Sequence, residues 1–320
     1  MIDVRRMQLL RELARLGTIA AVAQAAFCTP SAVSQQLSAL EREVGMPLIR
    51  RSGRGVELTA AGAELAERAG AVLALLTDAE AALAEMRGEL AGDLRVGAFP
   101  TAVRTLLPAA LVRLGAEHPR LELRVTELDP ADVPDALRSG ALHVALVQEY
   151  DYVPAEPDPD LATEPLLEEP ISLATADPAL GGETVDGVTT AGADGRPDPL
   201  RAGREQPWII ASPGTLCHLM AMRLCQAAGF TPRIRHYADD FAAVLTLVAV
   251  GQGVALVPGL ALADRPAGVA LTPLAARRRT QIAYRRGAAA HPAIAACTAA
   301  LRTATRDYLA RSSDQSGRAC

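Results

Sequence analysis

Ser31, Gln35, Ser38 and Arg42 recur at spacings of 4, 3 and 4 and so share one face of a helix, with Ser34 and Gln36 flanking it. Side chains of this kind can donate and accept hydrogen bonds, which is what reading base edges in a DNA major groove requires. The opposite face carries Val33, Leu37, Leu40 and Val44, an apolar stripe that needs a partner. Thr29-Pro30 opens the helix with a side-chain acceptor at the N-cap and a proline at N1, and Gly45 suits the position just past its end. A plain solvated helix would present the same polar face, so the neighbouring sequence must decide. That sequence holds Arg50, Arg51 and Arg54 around the turn Ser52-Gly53-Arg54-Gly55, between the strand candidates 48–49 and 56–58. A hairpin bearing three arginines in five residues is placed to meet phosphates.

A second group of residues could hold a small molecule. Phe99-Pro100-Thr101 and Ser212-Pro213-Gly214-Thr215 each lead from a strand candidate into a helix candidate. Helix starts present free backbone N–H groups and favour anions, so an anionic ligand is expected there. Thr101 and Thr215 could equally do no more than cap their helices. Leu128 and Gln148 follow or lie in strands whose ends face the same way, and the glycines of Gly251-Gln252-Gly253 leave backbone open to close approach. The candidate ligand-binding set is therefore Phe99, Pro100, Thr101, Leu128, Gln148, Ser212, Gly214, Thr215 and Gly253. Catalytic chemistry has no comparable footing. The five histidines, at 118, 143, 218, 236 and 291, lack metal spacing, and no nucleophile elbow, phosphate loop or dinucleotide fingerprint occurs. No metal or cofactor is expected. Cys217 and Cys225 could act as a redox pair, but on one helix they stand about 12 Å apart along its axis, beyond disulfide reach.

The elements that must position these residues follow from periodicity. Helices are predicted over 4–16, with Met7, Leu10, Leu13 and Ala14 inward, over 19–26, and from 30 to 44. Residues 59–91 contain no proline, and Leu65, Ala69, Val72, Leu76, Ala79, Leu83, Met86 and Leu90 alternate at spacings of 4 and 3. That is an a/d seam on a helix of about 45 Å, too long to be buried in a small domain, so self-association through Leu65, Val72, Leu76, Leu83 and Met86 is expected. Strand and helix patterns then alternate: strands at 94–98, 121–127, 143–147, 171–174, 208–211, 233–237, 254–257, 270–274 and 280–285, and helices at 101–117, 131–139, 215–228, 240–250 and 292–311. This is an α/β body with parallel pairing. Residues 181–203 read as a long loop and the last nine as a disordered tail.

Composition sets the limits. Fifty per cent hydrophobic and 22% charged residues over 320 positions suit two or three globular domains. All 32 basic residues are arginine and the net charge is −5, which excludes a generally basic nucleic-acid binder. Residues 1–60, however, hold 8 Arg against 5 acidic residues, while the remainder holds 24 against 32. Five cysteines without a CxxC point to a reducing cytoplasm, and an N-terminus without an apolar run suggests no signal peptide. The most apolar run, 241–257, is broken by Gly251-Gln252-Gly253 and is short for a membrane span.

Residues 1–62 resemble the winged helix-turn-helix of LysR-type transcriptional regulators. Leu16-Gly17-Thr18, Thr29, Ala32-Val33-Ser34, Gln36-Leu37, Leu40-Glu41, Gly45, Leu48, Arg51, Leu58-Thr59 and Ala61-Gly62 carry the resemblance. It implies an α+β chain of three parts. These are a DNA-binding domain at 1–58, a linker and dimerisation helix at 59–91, and an effector-binding domain at 92–320. The last would resemble periplasmic binding proteins, with lobe 1 at about 92–162 and 273–311 and lobe 2 at about 163–272. It further implies double-stranded operator DNA, a small-molecule effector and a homodimer or homotetramer, with Thr29, Ser31, Ser34, Gln35, Gln36, Ser38, Arg42, Arg50, Arg51 and Arg54 at the DNA. The alternatives are a redox-sensing regulator using Cys217 and Cys225, or a solute-binding or catalytic α/β protein with a vestigial head.

Overall fold

The computed structural model describes residues 2–26, 28–52, 55–85, 90–154, 158–177, 199–263 and 265–317. The head contains α1 (Val4–Leu16), α2 (Ile19–Ala25) and α3 (Pro30–Val44), then the antiparallel pair β1 (Ile49–Ser52) and β2 (Gly55–Leu58). Its local signals act as the sequence suggests. Asp3, Thr18 and Thr29 cap the three helices, and Gly17 and Gly45 close α1 and α3 at φ 75° and 78°, backbone that suits glycine. Met7, Leu10, Leu13, Val22, Val33, Leu37, Leu40 and Leu48 form the core. Ala14 does not join it and is exposed.

The linker α4 (Ala60–Glu85) is a single helix of 26 residues. Its first half is not a free seam. Ala66 and Ala69 are buried in the head's core, and Leu65 and Val72 pack against it. Two glycines set the distances: a Cβ on Gly62 would stand 2.0 Å from the Leu48 carbonyl oxygen, and one on Gly70 would stand 2.4 Å from that of Ser139. Glycine inside a helix costs about 1 kcal/mol relative to alanine, and here both positions are close approaches of backbone. Only beyond them do apolar side chains lie open, with Leu75, Leu76 and Leu83 at 62%, 45% and 58% exposure. Leu65 and Val72 therefore belong to the intrachain core, because the head itself covers that stretch. Met86 lies outside the described residues.

The body begins with β3 (Gly92–Ala98), α5 (Pro100–Thr105), α6 (Leu107–Glu117), β4 (Leu121–Glu127), a 3-10 turn at Pro130–Asp132, α7 (Val133–Arg138) and β5 (Val144–Tyr150). The single helix expected over 101–117 is two, since Pro108 cannot continue the ladder and sits in the first turn of the second. Next come β6 (Leu161–Thr175), α8 (Pro199–Ala202), β7 (Pro207–Ile210), α9 (Leu216–Ala227), β8 (Arg233–Tyr237), α10 (Phe241–Ala249), β9 (Ala255–Pro258), β10 (Ala270–Arg285) and α11 (Pro292–Gly317). Most of the expected loop at 181–203 lies outside the described residues. Much of the expected tail is helical instead, continuing α11 to Gly317.

Strands β4 and β5 pair in parallel with β3, as expected, and β7 with β8. The pairing of β10 with β5 and β6, and of β6 with β9, is antiparallel. The order β4-β3-β5-β10-β6-β9 runs through both lobes because β6 and β10 are 15 and 16 residues long. The two strands expected at 270–274 and 280–285 are one, with an irregularity between Pro273 and Arg277. Leu94, Val96, Leu107, Leu114, Val144 and Ile282 anchor the first lobe's core, and Ile171, Leu173, Trp208, Met220 and Leu224 the second's.

One buried group in the first lobe makes it sensitive to acid. His143 is 8% exposed and its Nδ1 accepts the Arg95 backbone N–H at 3.2 Å. Burial, reinforced by the Arg95 charge, pushes its pKa down from 6.5 to about 4. The unfolded chain thus binds a proton that the folded one refuses between these values, and stability rises with pH across that window. Acidification from about pH 6.5 to 4 should remove on the order of 3 kcal/mol. Urea unfolding at a series of pH values, repeated for His143→Gln, checks this, since the variant should lose that part of the slope.

Candidate functional site

The head presents one polar helix face. Ser31, Gln35, Ser38 and Arg42 are all exposed on α3, while Val33, Leu37 and Leu40 are buried behind them. Thr29 caps the helix, its Oγ1 accepting from Ala32 N at 3.2 Å. Two flanking residues are engaged within the chain: Ser34 Oγ donates to the Pro30 carbonyl at 3.0 Å, and Gln36 Oε1 accepts from Arg6 Nε at 2.9 Å. In the wing, Arg50 pairs with its cross-strand neighbour Glu57 at 2.9 Å. The Arg51 side chain and all of Arg54 lie outside the described residues. Glu41, which the sequence marked only as part of the resemblance, accepts at Oε1 from Leu48 N and Ile49 N at 2.9 and 3.1 Å and so fixes the wing to α3.

Between the lobes lies a cavity of about 310 Å³, lined among others by Phe99, Pro100, Thr101, Leu128, Gln148 and Thr215. Six of the nine expected ligand-binding residues therefore meet there. A second cavity of about 860 Å³ shares Asp129, Pro130, Gln148 and Thr215 with it and takes Gly214 in its wall. Ser212 lines neither, since its N–H and hydroxyl are held by Asp239 at 2.7 and 2.8 Å. Gly253 is not in the cleft. It lies against Pro207, whose carbonyl oxygen would stand 2.5 Å from a Cβ there, and it lets Val254 bridge to Trp208.

The centre of the smaller cavity is a residue that periodicity did not single out. Arg278, fully buried on β10, donates from Nε and Nη2 to Glu169 Oε1 at 2.6 and 2.5 Å. Its Nη1 reaches Gln148 Oε1 at 2.9 Å, and Nη1 and Nη2 each reach Thr101 Oγ1 at 3.3 Å. The guanidinium also lies 5.0 Å from the centre of the Phe99 ring. Burial alone would lower the Arg278 pKa, but the Glu169 carboxylate outweighs it and leaves it raised. Glu169 further accepts from Leu260 N, and Gly259 leaves room for it, since a Cβ there would stand 2.7 Å from Glu169 Oε2. Thr101 thus serves this network rather than a helix cap, whereas Thr215 does cap α9 through His218 N at 3.2 Å. The signal for Arg278 was strand alternation through Ala276, Arg278 and Thr280, all buried, visible only once 275–279 is read as strand.

The thiols are poorly placed for redox chemistry. Cys217 lies 3.4 Å from Tyr150 Oη, and burial raises its pKa. Burial also pushes Cys225 up to about 12. Both sit on α9, so a redox reading gains nothing from this geometry. Among the described residues no cluster of His, Cys, Asp or Glu is arranged to hold a metal ion, and no helix is long and apolar enough to cross a membrane.

A winged helix-turn-helix carried on a linker helix, joined to two α/β lobes around a cleft, defines a DNA-binding regulator with an effector domain. Comparison with known proteins gives the same class. Residues 4–63 match the model of the bacterial regulatory helix-turn-helix proteins of the lysR family, and residues 87–306 match the LysR substrate binding domain. A probable hydrogen peroxide-inducible genes activator of Streptomyces viridosporus is 32% identical, covering 93% of this chain and 96% of that protein. The transcriptional activator IlvY of Salmonella typhimurium is 28% identical over 82% of this chain and 85% of its own. Among solved structures, an OxyR mutant of Corynebacterium glutamicum superposes with a TM-score of 0.59 at 25% identity, covering 99% of this chain and 95% of that one. The chain belongs to the LysR family and is a DNA-binding transcriptional regulator with an effector-binding domain.

Proposed function

We propose that Ser31, Gln35, Ser38 and Arg42 read the operator, that the wing arginines hold its backbone, and that a small molecule in the interlobe cleft controls the outcome. The polar face of α3 carries this reading, being exposed along its length and held rigid by its cap, its buried back and Glu41. The parts are a DNA-binding domain at 1–58, a linker at 59–91 and a two-lobed effector domain at 92–320, working in the cytoplasm as a regulator and not an enzyme. Gel shifts with DNA from directly upstream of the chain's own gene test it. Binding should weaken steeply with salt, as phosphate contacts require. Gln35→Ala should change which bases are preferred, by roughly 1–3 kcal/mol at one position. Salt-independent binding, or none at low salt, would sink the reading.

The open stretch of α4 supports a homo-oligomer. Leu76 and Leu83 lie seven residues apart on one helix face, both exposed and apolar, and a second copy would cover them. Leu76→Asp should yield monomers in sedimentation velocity while leaving the head folded. A dimer of unchanged mass would exclude that stretch from the interface.

A further inference from the structure

We propose that the interlobe cleft takes a small organic cation, a protonated amine or guanidine on a compact apolar body, and not an anion. This rests on the effector reading of the cleft and specifies its ligand. Two side-chain groups that could hold an anion, on Ser212 and Arg278, are already engaged within the protein. Ser212, at the loop leading into α9, gives both its N–H and its hydroxyl to the Asp239 carboxylate, so a side chain of the chain itself fills the anion's seat. Arg278 is the cavity's cationic side chain, and its guanidinium is bound to Glu169 and to Gln148 and Thr101.

Acceptors remain open on two of the wall's three carboxylates, Glu127 and Asp129. The third, Asp239, accepts from Ser212 but keeps its negative charge, and against these three stands that one neutralised arginine. Among the described residues no side chain pairs with Glu127, and Asp129 uses only Oδ1, accepting from Ala131 N. All three carboxylates are exposed, so an anion entering this wall meets uncompensated like charge and a cation meets its counter-ions on the solvent-facing side of the cleft, where each contact contributes modestly. Shape agrees with charge. Two of the chain's four phenylalanines, Phe99 and Phe241, line this one cavity. The Phe99 ring already carries the Arg278 guanidinium, which leaves Phe241 as an aromatic wall for a second cation. A volume of about 310 Å³ is small for a ligand site and fits a compact metabolite.

The test uses the full chain and three probes of similar size and different charge: phenethylammonium, 2-phenylethanol and phenylacetate. Isothermal titration should show the ammonium binding at least about ten-fold more tightly than the carboxylate. Glu127→Gln combined with Asp129→Asn should abolish that preference, and Phe241→Leu should weaken the ammonium alone. Thermal melts confirm that each variant is folded. Equal or tighter binding of the carboxylate overturns the proposal, as does ammonium binding weaker than about 10 mM. Gel shifts on the same preparations keep the two levels apart. DNA binding that persists while the ammonium fails to bind overturns the ligand class only, and DNA binding that is absent while the ammonium binds overturns the operator reading only.

Discussion

Replacing Glu169 with glutamine is expected to destabilise the effector domain by roughly 3–5 kcal/mol, the usual cost of leaving a buried charge without its partner. Arg278 is fully buried, and its one carboxylate is Glu169, itself 5% exposed. Glutamine keeps the shape but has one acceptor oxygen, which can face Leu260 N or the guanidinium and not both, so the loss combines the charge with a hydrogen bond and leaves the packing intact. The chain's single tryptophan, Trp208, is fully buried in the second lobe and reports the transition without a label. Urea unfolding followed by its fluorescence should therefore move to markedly lower denaturant. The double variant Arg278→Met with Glu169→Met should recover most of the loss, because an apolar pair removes both charges from the interior together. A Glu169→Gln protein within about 1 kcal/mol of the parent would mean that Gln148, Thr101 and Phe99 suffice to hold the guanidinium.

Gly62→Ala should damage the head by a different route. By helix propensity alone the change gains about 1 kcal/mol. The new Cβ, however, would stand 2.0 Å from the Leu48 carbonyl oxygen and 2.9 Å from its carbon. Both are backbone atoms, so no rotamer change relieves the clash. The same carbonyl accepts from Thr59 N at 2.9 Å, and Thr59 Oγ1 donates to the Pro47 carbonyl at 2.9 Å, so α4 cannot retreat without breaking the joint between wing and linker. Overpacking of this kind costs about 1–3 kcal/mol, and the net change should be destabilising. The displaced wing should also weaken DNA binding by about ten-fold, or roughly 1.4 kcal/mol, with little change in base preference, since α3 is not moved. Salt-dependent gel shifts and thermal melts of the variant check both parts. A more stable protein with unaltered affinity would show that the linker and wing part at no cost.

The head was legible in the sequence almost residue by residue, and the reason is locality. Thr18, Thr29, Gly17 and Gly45 act on their own helix ends, and the stripe of Val33, Leu37 and Leu40 needs only a helical period to be seen. The alternation of strands and helices in the body was legible for the same reason, and so was the gathering of Thr101, Gln148 and Thr215 at strand and helix ends facing one cleft.

What only the tertiary structure decided was which charges meet. Arg277, Arg278 and Arg279 are neighbours and identical in type, yet the first is exposed, the second is sealed against Glu169, and the third pairs with Asp151. Alternation along β10 selects the middle one, but its counter-ion lies 109 residues away, beyond the reach of any spacing rule. Asp239, 27 residues from Ser212, likewise turns an expected anion site into an occupied one. The linker shows the same division. Its a/d repeat was visible, but whether the repeat faces a second chain or its own head depends on where backbone comes close to Gly62 and Gly70. Period and capping are properties of a segment, and they fix the elements and the polar face of α3. Electrostatic pairing and close approach are properties of the packed chain, and they fix what the cleft can hold.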